Sequence, residues 1–103
     1  MKTKIVTLCG SYRFIDTMWE VRKMLQEHGY IVLLPLKMEY NYPSNYADSL
    51  DAQQIHDRHD QKMLMSDFIY VVNKDGFIGE HTQREVDFAK DHGIEIQYYE
   101  EIK

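Results

Sequence analysis

Apolar positions along the chain change their spacing several times, and each change marks an element. Ile5-Val6-Thr7-Leu8-Cys9 is an almost unbroken β-prone run, the pattern of a strand buried on both faces. It gives way at Gly10-Ser11. Phe14, Met18, Val21 and Leu25 then recur at helical spacing, one stripe of an amphipathic helix. His28-Gly29 supplies the last-turn histidine and following glycine that stop such a helix. Tyr30-Ile31-Val32-Leu33-Leu34, closed by Pro35, is a second run of the buried-strand kind.

Residues 37–50 hold turn formers and the tyrosines Tyr40, Tyr42 and Tyr46 but no period, which predicts a long loop. Loops of this length are often lids or binding loops. A helix is expected over about 50–66, then the strand Phe68-Ile69-Tyr70-Val71-Val72 and the turn Asn73-Lys74-Asp75-Gly76. Phe77-Ile78-Gly79 leads into a helix over about 82–92, ended by Gly93, and Ile94-Glu95-Ile96-Gln97-Tyr98 is a last strand. Four strands alternating with three helices predict an α/β fold. It is a small doubly wound parallel sheet, flavodoxin- or Rossmann-like, in the order 2-1-3-4. Ligands of such sheets bind at the carboxyl ends of the strands, beside the switch between the first and third. Residues 10–13, the tyrosine loop and residues 73–85 meet there.

Composition narrows the function classes. The 103 residues make one domain, 44% apolar and 28% charged, an ordinary globular balance. Twelve basic and seventeen acidic residues leave a net charge of −5, without the footprint of a general nucleic-acid binder. A small anionic ligand remains compatible, because backbone dipoles act locally. Cys9 is the only cysteine, so no intramolecular disulfide and no cysteine-based zinc site are expected. The five-residue apolar run near the start is too short for a signal peptide or a membrane span. These features predict a soluble, cytoplasmic protein with no membrane partner.

Three segments carry candidate chemistry. At Gly10-Ser11 a glycine lets backbone approach a ligand, and the amides opening the next helix favour anions. The same two residues also serve any tight strand-to-helix turn. Neither a Walker motif nor a Gly-x-Gly-x-x-Gly fingerprint is present. On the second helix, at 100° per residue, Ala52, Ile55, Lys62, Met63 and Ser66 share a face with His59 in its middle. His56, Asp57, His59 and Asp60 thus form a titratable cluster, or else a solvated face with one tolerated histidine. His56 and His59 have no evident third ligand, and no metal is expected. On the third helix, Thr82, Glu85, Val86 and Ala89 share a face, which turns Glu85 toward the sheet near the first turn. Burial raises a carboxyl pKa and the helix N-terminus lowers it. A partly buried carboxylate held ionised by backbone donors suits nucleophilic attack on an electron-poor sugar carbon; the plainer alternative is a helix-start acid.

Taken together, residues 5–11, Ile55-His56 through Ser66-Asp67, and Asp75-Gly76-Phe77-Ile78-Gly79-Glu80-His81-Thr82-Gln83-Arg84-Glu85 with Ala89 resemble the nucleoside 2-deoxyribosyltransferase superfamily. The likeness extends to its deoxynucleoside-monophosphate N-glycosidases and small bacterial members. Gly-Phe-Ile-Gly followed by Thr-x-x-Glu-x-x-x-Ala is the most specific block. The resemblance implies cleavage or transfer at the N-glycosidic bond of a (deoxy)nucleoside or its monophosphate, with Glu85 as nucleophile through a covalent glycosyl ester. It implies that Gly10, Ser11 and Tyr12 line the pocket and that Gly79, His81 and Thr82 hold a 5′-phosphate. Where the family commonly has an aspartate on the second helix, this chain has His59 with Asp60 beside it, and acid–base work would fall to them, with Asp57 near the substrate. No cofactor is implied. The family often completes its site with a neighbouring subunit, and six methionines and eight tyrosines point to an apolar patch in a homodimer or higher homo-oligomer. A non-catalytic nucleotide-binding or sensor module of the same fold is the alternative.

Overall fold

The computed structural model describes residues 2–39 and 50–101. Four parallel strands, β1 (Ile5–Gly10), β2 (Ile31–Leu33), β3 (Phe68–Val72) and β4 (Glu95–Tyr98), form one sheet in the order β2-β1-β3-β4. This is the expected α/β topology. Val6 of β1 lies beside Val32 of β2 and Phe68 of β3, and Ile69 of β3 beside Ile96 of β4.

Alternation along the two central strands feeds two cores. Val6 and Leu8, with Phe68 and Val72, face α1 (Ile15–Glu27), whose Met18, Val21 and Leu25 are the predicted apolar stripe. Cys9, with Ile69 and Val71, faces the other way and packs with Met63, Val86 and Ala89. Met63 belongs to α3 (Ala52–Leu64), and the other two to α4 (Glu80–Asp91). Cys9 therefore points toward the helices that carry the candidate residues.

Helix ends follow the sequence signals closely. In α1 the amides of Gly29 and Tyr30 donate to the carbonyls of Gln26 and Leu25, at 2.9 and 3.2 Å, and Gly29 takes a φ of 91°. The end of α4 repeats this with Gly93 and Ile94. Both are Schellman closures, which need the left-handed conformation that glycine adopts without strain. Asp51 opens α3 with a capping box: its carboxylate accepts from the Gln54 amide at 2.8 Å, and the Gln54 side chain accepts from the Asp51 amide at 3.0 Å.

Three expectations are corrected. The predicted loop begins with a one-turn helix, α2 (Leu36–Glu39), which buries Leu36 and Met38. Four residues are too few to show a period. Lys62 ties this turn to α3 by donating to the Leu34 carbonyl at 2.6 Å and to Glu39 at 2.7 Å. Tyr40, Tyr42 and Tyr46, the core of the expected loop, lie outside the described residues. Secondly, β2 is an edge strand rather than a strand buried on both faces, and Ile31 is half exposed. Thirdly, α4 starts at Glu80, two residues earlier than expected, with Gly79 at its N-cap. No described helix is long and apolar enough to cross a membrane.

Candidate functional site

The carboxyl ends of β1 and β3 open onto a cleft of about 400 Å³. After β1, Ser11 caps a short 3-10 turn, its hydroxyl accepting from the Arg13 amide at 3.2 Å. After β3, the Asn73 side chain holds the following loop to the end of the chain, donating to the Glu100 carbonyl at 2.9 Å and accepting from its amide at 2.7 Å. The two connections lock together where the Arg13 guanidinium stacks 4.0 Å from the centroid of the Phe77 ring. The cleft is thus framed by segments fixed to the sheet.

Gly10, Ser11 and Tyr12 border it from β1, and His59 from α3. Gly79, His81, Thr82 and Glu85 border it from α4. Leu36, Ile55 and Phe77 add apolar wall, and Lys37 a cation. Gly10 has a packing reason of its own: a Cβ there would come 3.2 Å from the Val72 Cβ and 3.3 Å from the Met18 sulfur. Glycine lets β1 end tightly between β3 and α1, whatever the cleft holds.

Asp57 and Asp60 are not brought to the cleft. Asp57 is exposed on α3 and accepts from Gln53 one turn back at 2.7 Å. Asp60 turns toward Arg84 of α4 and accepts from both terminal guanidinium nitrogens, at 2.8 and 3.4 Å. The helical rotation of 100° per residue that aims His59 at the sheet carries both aspartates off that face.

At the floor of the cleft, one Glu85 carboxylate oxygen lies 3.0 Å from His59 Nε2, with 15% of the glutamate side chain exposed. The Cys9 sulfur is 3.3 Å from the same nitrogen. Burial dominates the electrostatics. It raises the Glu85 carboxyl from 4.5 to about 8, against the neighbouring Arg84 charge and a hydrogen bond from the Cys9 thiol, while the Asp60 charge raises it further. Burial likewise lowers His59 from 6.5 to about 3, helped by the charges of Lys62, Arg84 and His56. The Cys9 thiol is pushed well above its ordinary value, first by burial and then by Glu85. Burial thus favours the uncharged form of both partners across the 3.0 Å contact. In place of the expected backbone donors Glu85 meets a histidine, and burial favours its neutral form over the expected ionised carboxylate. Arg84, the nearest cation in sequence, is committed to Asp60 and does not neutralise Glu85.

The N-terminus of α4 forms another side of the cleft. Its first intrahelical bond runs from the Gln83 amide to the Gly79 carbonyl at 2.9 Å, so the amides of Glu80, His81 and Thr82 have no acceptor within the helix. Thr82 is 3% exposed. His56 Nε2 and His81 Nδ1 stand 3.4 Å apart at the rim, and burial, Arg84 and His81 lower the His56 pKa.

Cys9 is the site residue that sequence reasoning passed over. The signal was present: Thr7 and Cys9 alternate onto one face of β1, and Thr7 meets Ser66 just beyond α3 at 2.6 Å. Cys9, His59 and Glu85 each present one donor atom, and the three atoms lie within 4.8 Å of one another. Sequence spacing offered no third metal ligand beside His56 and His59; the fold assembles a different trio from three separate elements. In comparison with known proteins, the chain matches no family model and no curated protein.

Proposed function

We propose that the protein cleaves the N-glycosidic bond of a (deoxy)nucleoside or its monophosphate, or transfers the sugar to another base, through a glycosyl ester on Glu85. The observation that carries this reading is the buried Glu85 carboxyl, without an ion pair to lysine or arginine among the described residues, at the floor of a cleft within the size range of small-molecule sites. A neutral acid suits the first step. As the bond from C1′ to the base breaks, the Glu85 proton leaves through His59 Nε2 to water in the cleft, and the departing base, on the opposite face of the sugar, takes a proton from water. The carboxylate so formed closes on the oxocarbenium-like C1′. Water, or a second base, then attacks C1′ and releases the sugar, and the proton returns to Glu85 as the ester breaks. The apolar wall of Leu36, Ile55 and Phe77 suits a planar base. The free amides opening α4 suit a 5′-phosphate or hydroxyl.

A second reading, a nucleotide-binding module without turnover, is favoured by one specific observation. Two-carboxylate glycosidases place both acids at the reacting bond, whereas here Asp60 is spent on Arg84. Incubation with deoxynucleosides, ribonucleosides, their monophosphates and free bases, followed by chromatography and intact-protein mass spectrometry, separates the readings. Base release with a transient sugar adduct on the wild-type chain, absent from Glu85→Gln, is the expected result. Thermal stabilisation by a nucleotide with no product would leave the binding module. Full activity in Glu85→Gln would remove the enzymatic reading.

A further inference from the structure

We propose that Cys9, His59 and Glu85 form a binding site for a thiophilic, tetrahedral transition-metal ion of the Zn²⁺ type, its fourth position open to the cleft. The inference stands on the arrangement of donor atoms and does not rest on the glycosidic reading. Zinc bonds of about 2.3 Å to sulfur and about 2.0–2.1 Å to nitrogen or oxygen set tetrahedral edges of roughly 3.6 Å for S···N and roughly 3.3 Å for N···O. The corresponding separations are 3.3 Å from Cys9 Sγ to His59 Nε2 and 3.0 Å from His59 Nε2 to Glu85 Oε2. These two edges need to spread by about 0.3 Å each, and the third, from Cys9 Sγ to the Glu85 carboxylate, lies within 4.8 Å, so side-chain rotations bring the trio to three corners of the tetrahedron.

Chemistry and charge agree with the geometry. A thiolate, an imidazole and a carboxylate select Zn²⁺ or Co²⁺ over the oxygen-seeking Mg²⁺ and Ca²⁺. Binding forms the metal–sulfur and metal–oxygen bonds as the Cys9 and Glu85 protons leave to solvent. Two anionic ligands then balance the dication, and a neutral assembly replaces what would be isolated buried anions. Among the described residues, the nearby cations are engaged elsewhere: Arg84 is held by Asp60, Lys62 by Glu39, and the Lys37 ammonium lies over the Tyr12 ring. The ligands come from β1, α3 and α4, so the protein core fixes their spacing. Cys9 is fully buried, while His59 and Glu85 both border the cleft, which leaves the exchangeable position on that side.

Cobalt titration of the EDTA-treated, reduced full chain at neutral pH tests this directly. The expected result is binding of one equivalent with intense tetrahedral d–d absorption and a thiolate-to-cobalt charge-transfer band, both displaced by Zn²⁺. The charge-transfer band should be absent from Cys9→Ser, and affinity should fall at least tenfold in Glu85→Gln, which keeps the shape of the site if the cysteine variant does not fold. Failure of wild-type protein to bind cobalt or zinc would overturn the proposal. So would binding without a thiolate band that disappears in the double variant His56→Ala, His81→Ala, because the rim histidines would then be the ligands. If the glycosidic reading also holds, Zn²⁺ inhibits by occupying Glu85; the optical result is decided without any turnover.

Discussion

Two acid–base contacts join α3 to α4 at adjacent positions and behave in opposite ways. Asp60 meets Arg84 as an ion pair with the arginine about a third exposed, whereas His59 meets Glu85 as a neutral pair closed off from most solvent. Each contact uses residues one place along from the other on both helices, so backbone geometry and local sequence are nearly shared. What differs is a rotation of 100°. On the sheet side, desolvation exceeds any attraction between charges and strips both partners of charge. On the outer side, Asp60 is about as buried as Glu85, but it faces the partly exposed Arg84 guanidinium rather than an imidazole. The carboxyl proposed to react is the one whose charge the fold disfavours, and the neighbouring ion pair engages Arg84 with Asp60.

The sharpest way to break this contrast is to neutralise each acid in turn. Glu85→Gln should lower glycosidic turnover by at least about 10²-fold, and Asp60→Asn by less than tenfold, both by steady-state assay on whichever substrate the screen identifies. Comparable losses would mean that the two acids share the chemistry after all. A pH profile tests the same difference through the proton. With the protonated Glu85 as the proposed reactive form, kcat/KM should be level below pH 8 and fall about tenfold per unit above it. A rise through pH 8 would assign reactivity to the carboxylate instead.

Folding stability carries the next largest effect. Glu85 holds its proton more tightly when folded, so its contribution is complete below its unfolded value of 4.5 and is lost as pH rises to about 8. His59 has a depressed folded value, so its contribution is present above 6.5 and is lost as pH falls toward about 3. Between 4.5 and 6.5 the two slopes cancel. From pH 6.5 to 8 only the Glu85 slope remains, a loss of about 2 kcal/mol. Urea unfolding across this range should show that loss in wild-type relative to Glu85→Gln; parallel curves would mean that Glu85 is already ionised at neutral pH.

Much of this architecture is legible in the chain because the signals are local. Continuous apolar strands, the Phe14-Met18-Val21-Leu25 stripe and the His-Gly stops at 28–29 and 92–93 each fix an element within a few residues. Angular arithmetic also turned His59 and Glu85 inward, since a helix face is a property of spacing alone. It could not show that the two side chains touch, because their distance depends on how α3 and α4 cross. Nor could it give the charge state, which follows from burial by both helices and the sheet. Cys9 was read through its count rather than its face, and Asp60 through its neighbour rather than its rotation. The α2 turn was missed because its stability comes from Leu36 and Met38 packing inward and from the Lys62 clamp, both tertiary.

The smallest predicted effect concerns the ion pair itself. Arg84 reaches Asp60 only through its terminal nitrogens, and its Nε is buried with no partner, so the guanidinium is held at one end. With about a third of the arginine exposed, screening by water reduces the pair to a coupling of about 0.5–1 kcal/mol. A double-mutant cycle with Asp60→Asn and Arg84→Met, followed by urea unfolding, measures it. The coupling should shrink when salt is raised from about 0.1 M to about 1 M, as the screening length falls from roughly 10 to 3 Å. Below pH 6.5 a matching cycle on Glu85→Gln and His59→Gln should show no salt dependence, because that pair has no charge to screen. A salt-insensitive Asp60–Arg84 coupling of several kcal/mol would place it in the same dry environment as its neighbour, and the 100° rotation would no longer separate the two.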